Sequence, residues 1–127
     1  MKTCCNSNIE HARIERELVQ SYRLNICRQV NDALHHRRML WLRTSVVLQF
    51  SDLPAALTES GCRYHVIEQV TRDILESDST CLETFTVRRI ERIAFVDGHN
   101  TMGATVVVRL RQTFEFDDLL WFIGITS

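Results

Sequence analysis

Apolar and polar residues alternate along the last third of the chain, from Thr105 to Phe116. An alternation of period two puts successive side chains on opposite faces of a β-strand. Only Val107 and Gln112 interrupt it. The apolar face would hold Val106, Val108, Leu110, Phe114 and Phe116. The pattern therefore predicts a long strand with one face in the core and the other towards solvent.

A short apolar segment follows this strand near the end of the sequence. After Asp117 and Asp118 come Leu119, Leu120, Trp121, Phe122 and Ile123, with few residues behind them. Two interpretations are nearly equal in weight: the segment is a last helix that completes its own core, or it docks on another copy. In the second interpretation the exchanged strand uses Leu110, Phe114 and Phe116, and the docking residues are Leu119, Leu120, Trp121 and Phe122.

The first half of the chain changes from helical to alternating spacing. From Asn8, a suitable N-cap, to His36 the apolar residues lie near one helical stripe: Ile9, Ile14, Leu18, Tyr22, Ile26, Val30 and Ala33. From Leu40 to Phe50 every second residue is apolar or Thr44, which predicts a strand. We expect residues 1–22 to be an N-terminal helical extension and residues 23–127 to form a single α+β assembly domain.

The middle of the chain predicts a pair of helices. Ser51 and Asp52 offer capping oxygens, Pro54 suits a first helical turn and Gly61 suits a stop, so a short helix is expected before Gly61. A second helix should run from about Arg63 to Leu75. Its buried face would hold Val66, Ile67, Val70 and Ile74.

The region from Cys81 to Phe116 predicts a long β-hairpin. Its turn is the sequence DGHN at residues 97–100. The apolar phase changes within the first strand, which indicates a bulge near Arg88 and Arg89. The elements together predict an α+β, two-layer fold: an N-terminal helix, a long strand, a helix pair, a C-terminal β-hairpin and an apolar tail.

The composition of the chain indicates the number of domains more clearly than it indicates a function. The 127 residues suit one domain with one core, and one Pro with four Gly leave no long flexible linker. The net charge is −1, and Lys2 is the only lysine among fifteen basic residues. An arginine surface suits bidentate or stacking contacts with a partner. We therefore expect a protein that binds other macromolecules.

Nucleic-acid binding is the alternative function, and it is the less favoured one. Arg37, Arg38 and Arg43 lie beside Trp41, and a second group of arginines falls near residue 90. Arg37, Arg38 and Arg43 are the candidate partner or nucleic-acid contacts. However, a domain with a pI near 6.5 lacks the basic footprint of a dedicated nucleic-acid binder, so a solvated sheet face is the better interpretation.

No catalytic or metal-binding pattern stands out. Cys62 and His65 have a C-x-x-H spacing, but no second ligand pair accompanies them, so we expect no metal and no cofactor. A Cys–His nucleophile lacks an identifiable third residue. The five cysteines have no regular spacing and no secretory signal is seen, so disulfides are not expected.

No apolar run reaches the ~20 residues of a membrane-spanning helix. We expect a protein that is not an enzyme.

Three segments carry a resemblance to a known family. They are RLNI leading into QVNDALHHRR, the helix VIEQVTRDIL, and the closing FVDGHNTMGATVVVRLRQTFEFDDLL. In this order they resemble the small adenovirus early-region-four proteins encoded by the third open reading frame, which build tracks in the host nucleus. This chain differs in continuing past Leu120 with WFIGITS.

The resemblance implies a non-enzymatic viral early protein of the host nucleus. Such a protein would form homo-oligomers and polymerise through its C-terminal strand or tail, with strand positions near Val108, Leu110 and Arg111. It would sequester host antiviral and DNA-damage-response proteins on the polymer. A weak site repeated along a filament gains avidity, so no deep pocket is needed. An element exchanged head to tail produces an open polymer instead of a closed dimer.

Overall fold

The computed structural model describes residues 8–36, 44–58, 61–77, 82, 85–98 and 100–112. Within them the chain forms helix α1 (Asn8–His36), strand β1 (Thr44–Leu53), helices α2 (Ala55–Thr58) and α3 (Arg63–Ser77), and strands β2 (Phe85–Asp97) and β3 (Met102–Gln112). The order of helices and strands confirms the predicted α+β fold.

Helix α1 is one continuous helix of 29 residues. Of the predicted stripe, Ile14, Leu18, Ile26 and Val30 are at most 6% exposed, Tyr22 and Ala33 are half-buried, and the side chain of Ile9 lies outside the described part of the chain. Ile14 and Leu18 lie before residue 23, so the residues that we named an extension contribute to the same core cluster as the rest of the chain. Helix α3 confirms its prediction as well, since Val66, Ile67, Val70 and Ile74 are fully buried.

The junction between β1 and α2 differs from the prediction. Ser51 and Asp52 do not cap a helix but continue β1, which ends at Leu53. The register with β3 shifts between Phe50 and Leu53, and Asp52 has a φ of 57°, a left-handed conformation that Asp tolerates better than most residues. Helix α2 consequently begins only at Ala55. Its first turn is closed by a 3.0 Å hydrogen bond from the Leu57 N–H to the Pro54 carbonyl.

The three strands form one antiparallel sheet in the order β1-β3-β2. Strands β2 and β3 are the predicted hairpin, whose turn is closed by a 2.7 Å hydrogen bond from the Gly98 N–H to the Thr101 carbonyl. The register of β2 shifts between Val87 and Arg89 and again between Ile90 and Arg92. The first shift confirms the predicted bulge, and the second is an additional one.

The core lies between the helices and one face of the sheet. On β3 this face holds Ala104, Val106, Val108 and Leu110, and on β1 it holds Val46, Leu48 and Phe50; none of these is more than 1% exposed. Helices α1 and α3 pack on each other, with α1 against β1 and α3 against β2. Within the described residues no helix packs on the opposite face, which we call the open sheet face.

Candidate interaction surface

The open sheet face consists of the residues that alternate with the core positions. The strand register places these residues side by side in rows across β1, β3 and β2. The rows are Ser45, Arg109 and Arg89; Val47, Val107 and Arg92; and Gln49, Thr105 and Ala94. Because the face has two valines at its centre and no deep cavity among the described residues there, it suits contact with another macromolecule better than enclosure of a small ligand. Val47 is 52% exposed, and Val96 near the end of β2 is 55% exposed.

An ionic cluster occupies one side of the open sheet face. The Arg109 Nε atom lies 2.8 Å from Oε2 of Glu91, and the Arg89 Nη2 atom lies 3.4 Å from the same oxygen. The Arg109 Nε–H finds no hydrogen-bond partner among the described residues, so its contact with Glu91 is an ion pair with poor hydrogen-bond direction. Arg92 and Arg111 are exposed on the same side. The cluster therefore has more positive than negative charge.

The outer edge of β1 is covered by side chains from α1. The Gln29 Nε2 donates to the Gln49 carbonyl at 2.9 Å, and the Gln49 N–H donates to the Gln29 Oε1 at 2.8 Å. About two helical turns before Gln29, the Tyr22 hydroxyl donates to the carbonyl of Ser51. These bonds occupy backbone groups that an additional strand would need, so this edge is closed to strand pairing at these residues.

A cleft of about 410 Å³ lies between α1 and the segment from β1 to α2. Arg13, Glu17 and Tyr22 contribute to its lining, together with Asp52 and Pro54. The Arg13 Nη1 and Glu17 Oε2 atoms are 2.9 Å apart. Burial raises the pKa of the Tyr22 hydroxyl, and the negative charge of Asp52 raises it further. Tyr22 is therefore protonated at neutral pH and acts as a hydrogen-bond donor rather than as a base.

The C-x-x-H pair lies at the beginning of α3. Cys62 is buried at 5% exposure, and its carbonyl accepts a 2.9 Å hydrogen bond from the Val66 N–H, as in a helix first turn. His65 is exposed and lies near Glu15 of α1. Burial raises the pKa of the Glu15 carboxyl, and the proximity of His65 offsets part of that rise. Across the described ranges, no three His, Cys, Asp or Glu residues are grouped to hold a metal ion.

Most of the residues selected from the sequence lie outside the described ranges. These are Arg37, Arg38, Arg43, Phe114, Phe116, Leu119, Leu120, Trp121 and Phe122. Leu110 is described: it is fully buried on the central strand β3, opposite Thr44 of β1 and Val87 of β2. The second group of arginines, Arg88, Arg89 and Arg92, is exposed on β2. Arg89 and Arg92 belong to the open sheet face.

Two features of this surface were not predicted. The contact between Gln29 and Gln49 joins a helix to a strand edge, and the pattern of apolar residues carries no signal for it. The ion pair between Glu91 and Arg109 depends on the register across both bulges of β2. An acidic residue among the arginines of FTVRRIERIAFVD was its only sign in the sequence.

Comparison with known proteins does not assign this chain to a protein family. No family model matches the chain, and no curated protein or solved structure is significantly similar to it. In the part of the chain that the structure describes, none of the helices is both long and apolar enough to cross a membrane.

Proposed function

We propose that this protein is a non-enzymatic scaffold that assembles with itself and captures partner proteins on the resulting polymer. In the setting that the sequence resemblance implies, it is a viral early protein of the host nucleus, and its partners are host antiviral and DNA-damage-response proteins. Self-association would use the C-terminal strand and tail, through Leu110, Phe114 and Phe116 and through Leu119, Leu120, Trp121 and Phe122.

The open sheet face is the observation that supports this proposal. Val47 and Val107 face away from the core at its centre, with arginines beside them on the side of β2. One such face binds a partner weakly, since it offers neither a deep apolar pocket nor a large patch. Many copies on one polymer raise the effective concentration of the site, and the avidity of the assembly can then exceed the affinity of one face by orders of magnitude.

Light scattering over a concentration series tests self-assembly. We expect large, concentration-dependent particles for the full-length chain and much smaller ones for the variants Leu120→Glu and Trp121→Glu. Leu24→Glu is the matched control, because Leu24 is 76% exposed on α1 and the substitution adds the same charge. The scaffold proposal fails if the full-length chain is a monomer at every concentration, or if the control variant disassembles as completely as the tail variants.

A nucleic-acid-binding regulator is the second candidate, because Arg89, Arg92, Arg109 and Arg111 share the open sheet face. Arg37, Arg38 and Arg43 would extend the contact. Binding of an oligonucleotide should then weaken steeply with salt, with a slope of about −0.7 to −0.9 per phosphate contact. The variants Arg92→Gln and Arg111→Gln should reduce this slope, whereas Arg23→Gln, a matched change on the exposed side of α1, should not. Weak binding whose affinity and salt dependence are unchanged by Arg92→Gln and Arg111→Gln would eliminate this candidate.

A further inference from the structure

We propose that the outer edge of β2 pairs antiparallel with the same edge of a second copy, about a two-fold axis at Ile90. The two three-stranded sheets would then form one six-stranded sheet with strand order β1-β3-β2-β2-β3-β1. This inference extends the proposed function, since it supplies a dimer as the unit that a tail-mediated polymer would link.

The two edges of the sheet are not equivalent. Strand β1 carries the side chains of Gln29 and Tyr22 over its outer backbone groups. Strand β2 is the other edge, and within the described residues no segment pairs with its outer side. It has 13 residues, which is long for an edge strand, but it also carries two bulges and several charged side chains, features that often keep an edge unpaired. Its outward N–H and C=O groups can still pair with a strand that carries the same bulges in the same register.

The alternation of hydrogen bonds shows which groups of β2 point outward. The N–H and carbonyl of Gln49 bind the side chain of Gln29, so they do not bind Thr105, which lies opposite Gln49 on β3. The N–H and carbonyl of Thr105 must therefore point the other way, towards Ala94 of β2. Successive pairs then alternate. The residues of β2 whose backbone groups point outward are therefore those on the core face: Phe85, Val87, Ile90, Ile93 and Phe95.

The spacing of these five residues is symmetric about Ile90. Phe85 and Phe95 lie five positions on either side, and Val87 and Ile93 lie three positions on either side. Along β3 their partners are Gln112, Leu110, Val108, Val106 and Ala104, which are evenly spaced. The two bulges thus place one extra residue on each side of Ile90. Two copies related by the axis keep their outward backbone groups in register over the whole strand.

The side chains of this row also have a reason to associate. All five are half-buried, whereas the core residues on β1 and β3 beside them are buried almost completely. The core-facing side of β1 and β3 is therefore fully covered, whereas the same side of β2 remains partly in water. Pairing would bring Phe85 next to Phe95 of the second copy and Val87 next to Ile93, so each half-buried side chain gains an apolar neighbour.

The charges on β2 favour the same register with one exception. An axis at Ile90 places Arg89 opposite Glu91 of the second copy, and this happens twice. It also places Arg88 opposite Arg92, which is unfavourable. All of these side chains except Glu91 are largely exposed, so solvent and salt weaken both effects, and the apolar row and the backbone bonds provide most of the association.

A cysteine on the axis tests this geometry directly. In an antiparallel hydrogen-bonded pair the Cα atoms are about 5.5 Å apart, a distance that a disulfide spans. Ile90→Cys should therefore link two chains through residue 90 under mild oxidation. Thr86→Cys is the matched control: it is exposed on the same strand, but its two copies would be about 20 Å apart. Peptide mapping distinguishes these links from those of native cysteines.

Amide hydrogen exchange tests the same pairing without a cysteine. We use the full-length double variant Leu120→Glu with Trp121→Glu, in which tail-mediated polymers should be absent. The N–H groups of Ile90 and Ile93 should exchange slowly at high protein concentration and quickly on dilution, while the solution mass falls from two chains to one chain of 14.8 kDa. Fast exchange at every concentration overturns the inference. So does protection that dilution leaves unchanged, because another part of the same chain would then cover the edge.

The outcomes separate this inference from the scaffold proposal. If the full-length chain polymerises but Ile90→Cys links no more than Thr86→Cys, the pairing of β2 fails and the scaffold survives. If the full-length chain is only a dimer that links through residue 90 and ignores the tail variants, the scaffold fails and the pairing of β2 stands. A monomer under all conditions eliminates both.

Discussion

Gln29 and Gln49 are joined by two hydrogen bonds in which a side-chain amide of α1 takes the place of a neighbouring strand. The Gln29 Nε2 and Oε1 atoms lie 2.9 and 2.8 Å from the Gln49 carbonyl oxygen and nitrogen. The same Nε2 lies 2.6 Å from the Asn25 Oδ1, one helical turn away. The amide is therefore held in place and closes the edge of β1 at the point where α1 passes it.

Replacement of Gln29 by Ala should destabilise the fold and expose this edge. We expect a loss of about 1–2 kcal/mol, because two backbone groups of Gln49 lose their partner and exchange it for water. Gln29→Glu should be intermediate, since a carboxylate can accept from the Gln49 N–H but cannot donate to its carbonyl. Urea unfolding measures both. Equal stability of Gln29→Ala and the wild type would show that the pair contributes nothing.

Tyr22 allows a prediction that depends on pH. Burial, and secondarily Asp52, raises the pKa of its hydroxyl above the ordinary value of 10.0. The folded chain therefore keeps this proton at a pH where the unfolded chain has lost it. The resulting stability is complete below pH 10.0 and disappears as the pH rises through the folded-state pKa.

Tyr22→Phe should accordingly cost about 1 kcal/mol at neutral pH, where the hydrogen bond to the Ser51 carbonyl is lost. In strong alkali the difference between the two proteins should shrink, since ionised Tyr22 no longer donates and is repelled by Asp52. Chemical unfolding at neutral and alkaline pH gives the two values. A difference that grows with pH would contradict the direction of the pKa shift.

Gly103 should not tolerate a side chain. A Cβ atom there would lie 2.7 Å from the Phe50 carbonyl oxygen, which belongs to the backbone and cannot move independently of β1. We expect Gly103→Ala to destabilise by roughly 1–3 kcal/mol through displacement of one strand. Gly61→Ala is the matched control, because a Cβ at Gly61 meets no atom within 4 Å. Thermal unfolding compares the two, and similar melting temperatures would refute the predicted clash.

Thr71 is a buried polar residue whose hydroxyl should contribute little to stability. It is fully buried on α3, and its Oγ1 donates to the Ile67 carbonyl at 2.7 Å. That carbonyl is already placed to accept from the helix backbone, so removal of the hydroxyl leaves no unsatisfied group behind. Thr71→Val should change stability by less than about 1 kcal/mol. A larger loss in urea unfolding would show that the hydroxyl has a further role.

The sequence predicts the elements with strong periodicity better than it predicts their junctions. Helix α3 follows from its apolar spacing, because burial on one face determines it, and the hairpin follows from apolar spacing together with the turn residues DGHN. Ser51 and Asp52 suit a helix cap as well as an irregular strand end, and the pairing with β3 decides in favour of the strand. The ionic cluster around Glu91 could not be predicted from the sequence for a related reason. Two bulges change which side chains of β2 share a face, and the exact strand register depends on the tertiary structure.

The bulges also make the number of residues in β2 a poor measure of its length. Thirteen residues of β2 lie along eleven residues of β3, so the strand contains two more residues than the sheet needs. A related chain with a regular strand here would be two residues shorter and would still build the same sheet. An alignment of such chains should therefore place single-residue gaps at Arg88 and Glu91, in the middle of a strand, where gaps are ordinarily penalised.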